Sequence, residues 1–190
     1  RRPPRKLLRR PGEEGLQHFE PALRWIEENR ERSDAGLVLE PLLQRRDARP
    51  EHSARAAEVA LAWLDEHAEA EEAEIVLRAL LSSDGLDSQR EQRAARATLD
   101  WLDKHAGDPD AQFVLHTFLR KADLHGENLS RAVAAAMRWL DLHGKEREAS
   151  FVLSALLGRA ELAPSMVARA SSAAIAWLRQ NETLEEAHYV

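Results

Sequence analysis

Five tryptophans stand at a fixed interval of 38 residues, and this interval constrains the fold more than any other feature of the sequence. They are the only tryptophans in the chain: Trp25, Trp63, Trp101, Trp139 and Trp177. Because tryptophan is a rare residue, a strict register of this kind indicates tandem repeats. In such arrays each repeat forms one supersecondary unit that packs mainly on its neighbours.

The interval divides the chain into one basic segment, four full repeats and a truncated repeat. The basic segment covers residues 1–12, and its end resembles the close of a preceding repeat. The repeats cover residues 13–50, 51–88, 89–126, 127–164 and 165–190. Residues 187–190 match the beginning of the second helix of a repeat. We therefore expect the chain to be one part of a longer array.

The residues before each tryptophan predict an amphipathic helix, called helix A below. Small or apolar residues recur three and two positions before Trp and one position after it. At 100° per residue these positions share one arc with the Trp, so we predict that the indole is part of the core. The alternative is a row of aromatic platforms on which bases or ligands stack. Helix A is predicted from about ten residues before Trp to about four after it.

The residues after each tryptophan predict a second helix, called helix B, of about 11 residues. An acid nine positions after Trp favours a helix start, because negative charge stabilises the first turn. An alanine follows it, and a Leu-Leu or Phe-Leu pair ends the apolar run in the four full repeats. The first repeat departs from this pattern, because Pro21 and Pro41 fall inside the predicted helices. We expect a late or kinked start near residue 20 and a kinked or shortened first helix B.

The composition agrees with an all-α protein. It is rich in alanine, leucine, glutamate and arginine, which favour helix, and only 5% of its residues are aromatic. The sequence therefore predicts a right-handed α-solenoid of tandem antiparallel helical hairpins, with about four and a half repeats of 38 residues.

This hairpin unit, with one Trp and small residues at fixed offsets, resembles the tetratricopeptide class of α-solenoid and, secondly, the HEAT-type solenoids. The resemblance covers residues 13–190 and implies a scaffold with a concave groove that binds other proteins. Tetratricopeptide repeats have a period of about 34 residues and carry their Trp near the start of helix A. Here the Trp stands near its end, so the ligand-binding positions of that family are not carried over.

A histidine column follows the tryptophans at four positions after Trp, in the second, third and fourth repeats: His67, His105 and His143. Adjacent hairpins are separated by about 10 Å, the diameter of a helix. Metal ligands must lie about 2.1 Å from one centre, so the three cannot share an ion. We predict that they end helix A, where a positive charge is favourable. No metal site and no cofactor are expected.

An arginine column stands eight positions before Trp in four repeats. With the positions five before, one before and three after Trp, it forms a polar stripe along one face of helix A. The candidate partner-binding stripe consists of Arg55, Glu58, Arg93, Arg96, Asp100, Lys104, Arg131, Arg138 and Arg169. The alternative is a solvated face on which each arginine pairs with a nearby acid, for which Asp65, Asp103 and Asp141 are candidates.

Several functions are disfavoured by what the sequence lacks. It has no cysteine, no glycine-rich phosphate loop and no nucleophile elbow, so we do not expect an enzyme. The whole chain carries a net charge of −6, and residues 1–12 contribute +6, so the remainder carries −12. An acidic body disfavours nucleic acid as a partner. No apolar run approaches the roughly 18 residues of a membrane span, and we expect a cytoplasmic protein.

The sequence thus predicts a protein–protein interaction scaffold, cut as a repeat module from a larger multidomain protein. Its partner is expected to be another protein or peptide, and the chain itself to be a monomer or to associate weakly end to end. Two alternatives remain. One is nucleic-acid binding through the arginine column, and the other is a structural or sensor arm that regulates a catalytic domain elsewhere in the parent chain.

Overall fold

The computed structural model describes residues 5–10, 12–84, 86–182 and 190. All regular secondary structure in these ranges is helical, which confirms the all-α class. The predicted beginning of a fifth helix B, near residue 187, lies outside the described residues. By its contacts the chain forms two compact units, Arg1–Thr98 and Leu99–Val190.

The first unit begins with two short helices that precede the regular hairpins. Its helices are α1 (Arg5–Leu8), α2 (Glu13–Leu16), α3 (Phe19–Glu28), α4 (Gly36–Leu43), α5 (Pro50–His67) and α6 (Ala73–Leu81). A 3-10 turn, Ser33–Ala35, leads into α4. The helix α7 (Ser88–His105) contributes its first part to this unit.

The second unit contains the end of α7 and four further helices. These are α8 (Ala111–Leu119), α9 (Gly126–His143), α10 (Ala149–Leu157) and α11 (Pro164–Asn181). In both units the long helices α3, α5, α7, α9 and α11 carry the tryptophans and are the predicted helices A. The short helices α4, α6, α8 and α10 are the predicted helices B.

The helix bounds follow the 38-residue interval. The helices α5, α7, α9 and α11 each have 18 residues, from 13 before Trp to four after it. The predicted end of helix A is confirmed, and the start lies about three residues earlier than predicted. Pro50 and Pro164 stand in the first turns of α5 and α11, where the missing N–H of proline removes no intrahelical hydrogen bond. The helices α6, α8 and α10 have nine residues, so helix B is shorter than predicted.

The first repeat is irregular, as its prolines predict. Its helix A, α3, has ten residues and begins at Phe19, which places Pro21 in the first turn. Its helix B, α4, has eight residues with Pro41 inside it, one residue fewer than the other helices B. The expected late start and shortening are therefore confirmed.

Each unit shows the same order of packing between neighbours. In the first unit α4 packs against α3, α5 and α6, and in the second α8 packs against α9 and α10. A helix B thus contacts both the next helix A and the next helix B along the chain. This nearest-neighbour packing is compatible with a helical repeat.

The tryptophans form the core of this packing. The rings of Trp63, Trp139 and Trp177 are at most 1% exposed, and that of Trp101 is nearly as buried. The predicted core role is confirmed for these four. Trp25, in the irregular first repeat, is partly exposed.

Candidate interaction surface

The buried indoles of α5, α9 and α11 bond these helices to the loop of the preceding hairpin. The Nε1 of Trp63 donates a hydrogen bond to the carbonyl oxygen of Arg32 at 3.1 Å. Trp139 and Trp177 donate in the same way to the carbonyl oxygens of Asp108 at 3.0 Å and Glu146 at 2.7 Å. Each acceptor stands 31 residues before its tryptophan, between helix A and helix B of the previous repeat. Because these three rings are also buried, they present no free face to a base or ligand, and their role is structural.

The histidine column ends helix A by a second set of contacts to the same loops. The rings of His67 and His143 stack on Trp63 and Trp139, with 4.9 Å between centroids in both pairs. Their Nε2 atoms lie 2.7 Å from the carbonyl oxygen of Arg30 and 2.9 Å from that of Gly107, respectively. The predicted helix-end role is confirmed for these two. In the described ranges no three His, Asp or Glu side chains are close enough together to hold a metal ion.

His143 has acceptors at both ring nitrogens. Its Nδ1 lies 2.8 Å from Oε1 of Glu146, and its Nε2 faces the carbonyl oxygen of Gly107. Only the imidazolium can donate to both, because a neutral ring has one N–H. The hydrogen bond to the Gly107 carbonyl, followed by the one to Glu146, raises the pKa of His143 above its ordinary value. Burial beside Phe151, followed by the charge of Arg120, lowers the pKa of His116 instead.

These opposite shifts predict opposite pH dependences of stability. The stabilisation of the fold by charged His143 is fully present below the ordinary histidine pKa of 6.5. It is lost as the pH rises through the raised pKa of the folded state. We expect His143→Gln to lower the urea midpoint more at about pH 5.5 than at about pH 8.5. His116→Gln should be relatively more stabilising at the lower pH, because a depressed folded pKa penalises folding there. Equal differences at both pH values for His143→Gln would contradict the imidazolium assignment.

The arginine column joins neighbouring helices A by ion pairs. In the first unit Arg55 bonds Glu20 at 2.5 Å and Glu27 at 3.0 Å, both on α3. Arg93 on α7 bonds Glu58 on α5 at 2.6 Å. The acid in each case lies on the preceding helix A. The hydrogen bond that Arg55 donates to Glu27 raises the pKa of its guanidinium above the ordinary value.

The second unit repeats this arrangement with aspartates. Arg131 on α9 bonds Asp100 at 3.2 Å and Asp103 at 2.5 Å, both on α7. Arg169 on α11 bonds Asp141 on α9 at 2.7 Å. These pairs with Asp103 and Asp141 are the ones expected under the alternative of a solvated face.

In the first unit the acid that Arg93 bonds is Glu58 rather than Asp65. Arg55, Arg93, Arg131 and Arg169 are between 34% and 49% exposed. Surface pairs of this kind contribute about 0–1 kcal/mol each.

The stripe is not polar throughout, because its positions hold alanine at Ala62, Ala134 and Ala176 and leucine at Leu142. Arg138 lies 3.7 Å from Asp103, and Arg96, Asp100 and Lys104 also have interaction partners. The position three after Trp holds Leu142 in the fourth repeat, and this side chain is 67% exposed. It follows Arg138 by one helical turn on the same face of α9.

Within the described residues, grooves open between α3 and α5 and between α9 and α11. The groove between α3 and α5 has a volume of about 330 Å³ and is lined mainly by charged side chains, among them Glu27, Arg30, Arg55 and Glu58. The cleft between the first halves of α9 and α11 has a volume of about 520 Å³. Its lining is largely apolar and consists of His125, Gly126, Leu129, Ser130, Val133, Ala134, Glu161, Leu162, Ala163 and Met166. The sequence did not single out this second cleft.

No protein-family model, no curated protein and no solved structure matches this chain. Among the described residues, no helix has both the length and the apolar character needed to cross a membrane. A proposal for function therefore rests on the chain's own residues.

Proposed function

We propose that this chain is a binding module for another polypeptide and that the polar stripe on its helices A is the binding surface. In this proposal the hairpins form a right-handed α-solenoid of about four and a half repeats, similar to tetratricopeptide proteins. The support is that contacts recur at fixed offsets in both units. The indole bond reaches back 31 residues, and an arginine–carboxylate pair reaches back 28 residues in Arg55–Glu27, Arg131–Asp103 and Arg169–Asp141.

The observation that carries the proposal is the exposed Leu142. In the other four repeats the same position holds Glu28, Glu66, Lys104 and Gln180. A leucine that is 67% exposed at a position otherwise polar is not explained by core packing. It lies on one face with the paired charges of Arg131 and Arg138, and an apolar contact inside a polar rim is typical of protein interfaces.

The pairing of the arginines favours a polypeptide over a nucleic acid. Each arginine of the column already bonds a carboxylate on the preceding helix A. Phosphate binding would require these pairs to open, and the body outside residues 1–12 carries a net charge of −12. A protein surface with charges of both signs can form complementary pairs without that loss.

The proposal is tested by selecting peptides from a phage-displayed random library on the whole chain. Affinities of the selected peptides are then measured by fluorescence anisotropy for wild type, Leu142→Asp and Arg138→Glu. We expect both substitutions to weaken binding by about tenfold or more, because they change the apolar contact and the rim charge. The matched control is Phe151→Asp, a similarly exposed apolar residue on helix B of the same unit, which should leave affinity unchanged.

Two outcomes would contradict the proposal. One is a set of peptides whose binding depends on Phe151 and not on Leu142, which would move the interface to helices B. The other is binding of oligonucleotides in a low-salt gel shift that Arg138→Glu removes, while no peptide is enriched. That second result would favour nucleic-acid binding through the stripe.

A further inference from the structure

Side chains from two repeated positions face each other across the grooves between neighbouring helices A. One is eleven residues before Trp, and the other is five before Trp in the preceding repeat. In the first unit Arg90 and Glu58 hold these positions and lie 3.0 Å apart, from Nε to Oε1. His52 and Glu20 hold the previous pair of positions at 3.8 Å. His52 also stacks on Phe19, with 5.0 Å between the ring centroids.

The same two positions in the second unit hold Met166 and Ala134. Neither side chain is charged, and alanine is too short to bridge between helices. Both line the cleft of about 520 Å³ between α9 and α11. The floor is formed by Leu129 and Val133, which belong to the buried face of α9. The groove that Arg90 covers in the first unit is therefore open and apolar in the second.

The acidic side chain beside this cleft is Glu161, which already pairs with Arg159 from outside the lining. None of the described residues that line it is a lysine or an arginine, and Glu161 stands at its edge with about half of its side chain exposed. Arg159 bonds Oε2 of Glu161 at 2.9 Å, and the guanidinium is otherwise turned to backbone carbonyls. The other oxygen, Oε1, faces His125 at 3.4 Å. The side chain of Glu161 is about half exposed, so a positive charge on a partner can pair with it in addition to Arg159 and His125.

We propose that the cleft binds an apolar side chain of leucine or methionine size on a partner polypeptide that carries a lysine or arginine beside it. The partner supplies in trans what Arg90 supplies within the first unit, an aliphatic stem over the groove and a positive charge near a carboxylate. This assignment deepens the proposed function and rests on it. It places the main apolar anchor in the cleft, separate from Leu142.

The test uses the whole chain with labelled methyl groups of Met, Leu and Val. The probe is the synthetic peptide Ser-Lys-Leu-Lys-Ser, acetylated and amidated at its ends. We expect the peptide to shift the methyl resonances of Met166, Val133 and Leu129 in a saturable titration. Replacing the central leucine of the peptide by alanine should weaken binding by about tenfold or more, because the buried apolar area is lost. Replacing its lysines by glutamate should also weaken binding.

The decisive variant introduces the charged pair of the first unit at the corresponding positions of the second unit. The double substitution A134E/M166R recreates the Glu58–Arg90 pair inside the cleft and should abolish the methyl shifts. Ala134→Leu fills the cleft without charge and gives an independent variant if the double substitution impairs folding. Val167→Ala, an exposed apolar residue of the same helix outside the lining, should leave the titration unchanged.

The outcomes separate this proposal from the proposed function. The cleft is not the anchor site if the alanine peptide binds as tightly as the leucine peptide, or if the shifts persist in both A134E/M166R and Ala134→Leu. If library-selected peptides depend on Leu142 yet leave the cleft methyl groups unshifted, the proposed function stands and the cleft assignment fails. If neither the probe nor any selected peptide binds, both proposals fail.

Discussion

Replacing Trp139 with alanine is expected to lower the free energy of unfolding by about 3–5 kcal/mol. The side chain of Trp139, on α9, is fully buried, and its Nε1 donates a hydrogen bond to the carbonyl oxygen of Asp108 at 3.0 Å. The substitution removes the buried area, leaves a cavity and frees a carbonyl in the loop between α7 and α8. It also removes the ring on which His143 stacks, so two contacts to the same loop are weakened together.

The measurement is urea unfolding followed by far-UV circular dichroism. Trp25→Ala is the matched control, because this ring occupies the same repeat position but is partly exposed, and its loss should be below about 2 kcal/mol. Trp139→Phe keeps most of the apolar area and removes the N–H, so it should lie between wild type and Trp139→Ala. Equal losses of unfolding free energy for Trp25→Ala and Trp139→Ala would contradict the inference that burial of the tryptophan determines its contribution to stability.

The sequence predicted the end of helix A better than its beginning, and the reason is physical. The end is marked by the Trp and by the residue four positions later, which is either a His that contacts the preceding loop or an Asn that bonds the carbonyl oxygen of the Trp. The first turn carries no periodic apolar signal, because residues such as Pro50 and Glu51 face solvent. For helix B, the acid nine after Trp stands at the N-cap position in α6, α8 and α10, so the helix begins one residue later than predicted.

The sequence predicts that the residues of the candidate stripe share one face of helix A. It predicts only in part which acid each arginine pairs with. Spacing within a helix places Arg93 and Arg131 on one side. Which acid of the preceding helix faces each arginine depends on how the two helices are rotated about their axes, and spacing carries no information on that. Arg131 therefore reaches the expected Asp103, whereas Arg93 bonds Glu58 instead of Asp65.

The cleft in the second unit could not be found from either of its defining residues alone. Ala134 and Met166 are ordinary helix formers, 32 residues apart in sequence. Their importance follows from a comparison with the first unit, where the corresponding residues Glu58 and Arg90 form an ion pair across the groove. An alignment of the repeats shows that both positions have lost their charge. It does not show that the two side chains face each other across a groove.

Replacing Arg159 with methionine is the second substitution with a large expected effect, a loss of about 2–3 kcal/mol. Its side chain is only 9% exposed, and its guanidinium donates to the carbonyl oxygens of Lys121 at 2.7 Å and Leu119 at 3.3 Å, and to that of Leu124. Methionine retains much of the apolar stem, so the loss reports the charge-assisted hydrogen bonds rather than packing. Lysine in the same place should recover only part of the loss, because an ammonium cannot match the fork geometry.

The first unit contains the same clamp, and this makes the prediction testable twice. Arg45 stands, like Arg159, twenty residues after its tryptophan, and it bonds the carbonyl oxygens of Leu8 at 2.9 Å and Arg10 at 3.0 Å. Arg45→Met should therefore destabilise by a similar amount in urea unfolding. Arg169→Met removes an exposed ion pair of the stripe and should lower stability by less than about 1 kcal/mol. If Arg169→Met lowered stability as much as Arg159→Met, buried carbonyl binding would not be what distinguishes the clamp arginines from those of the stripe.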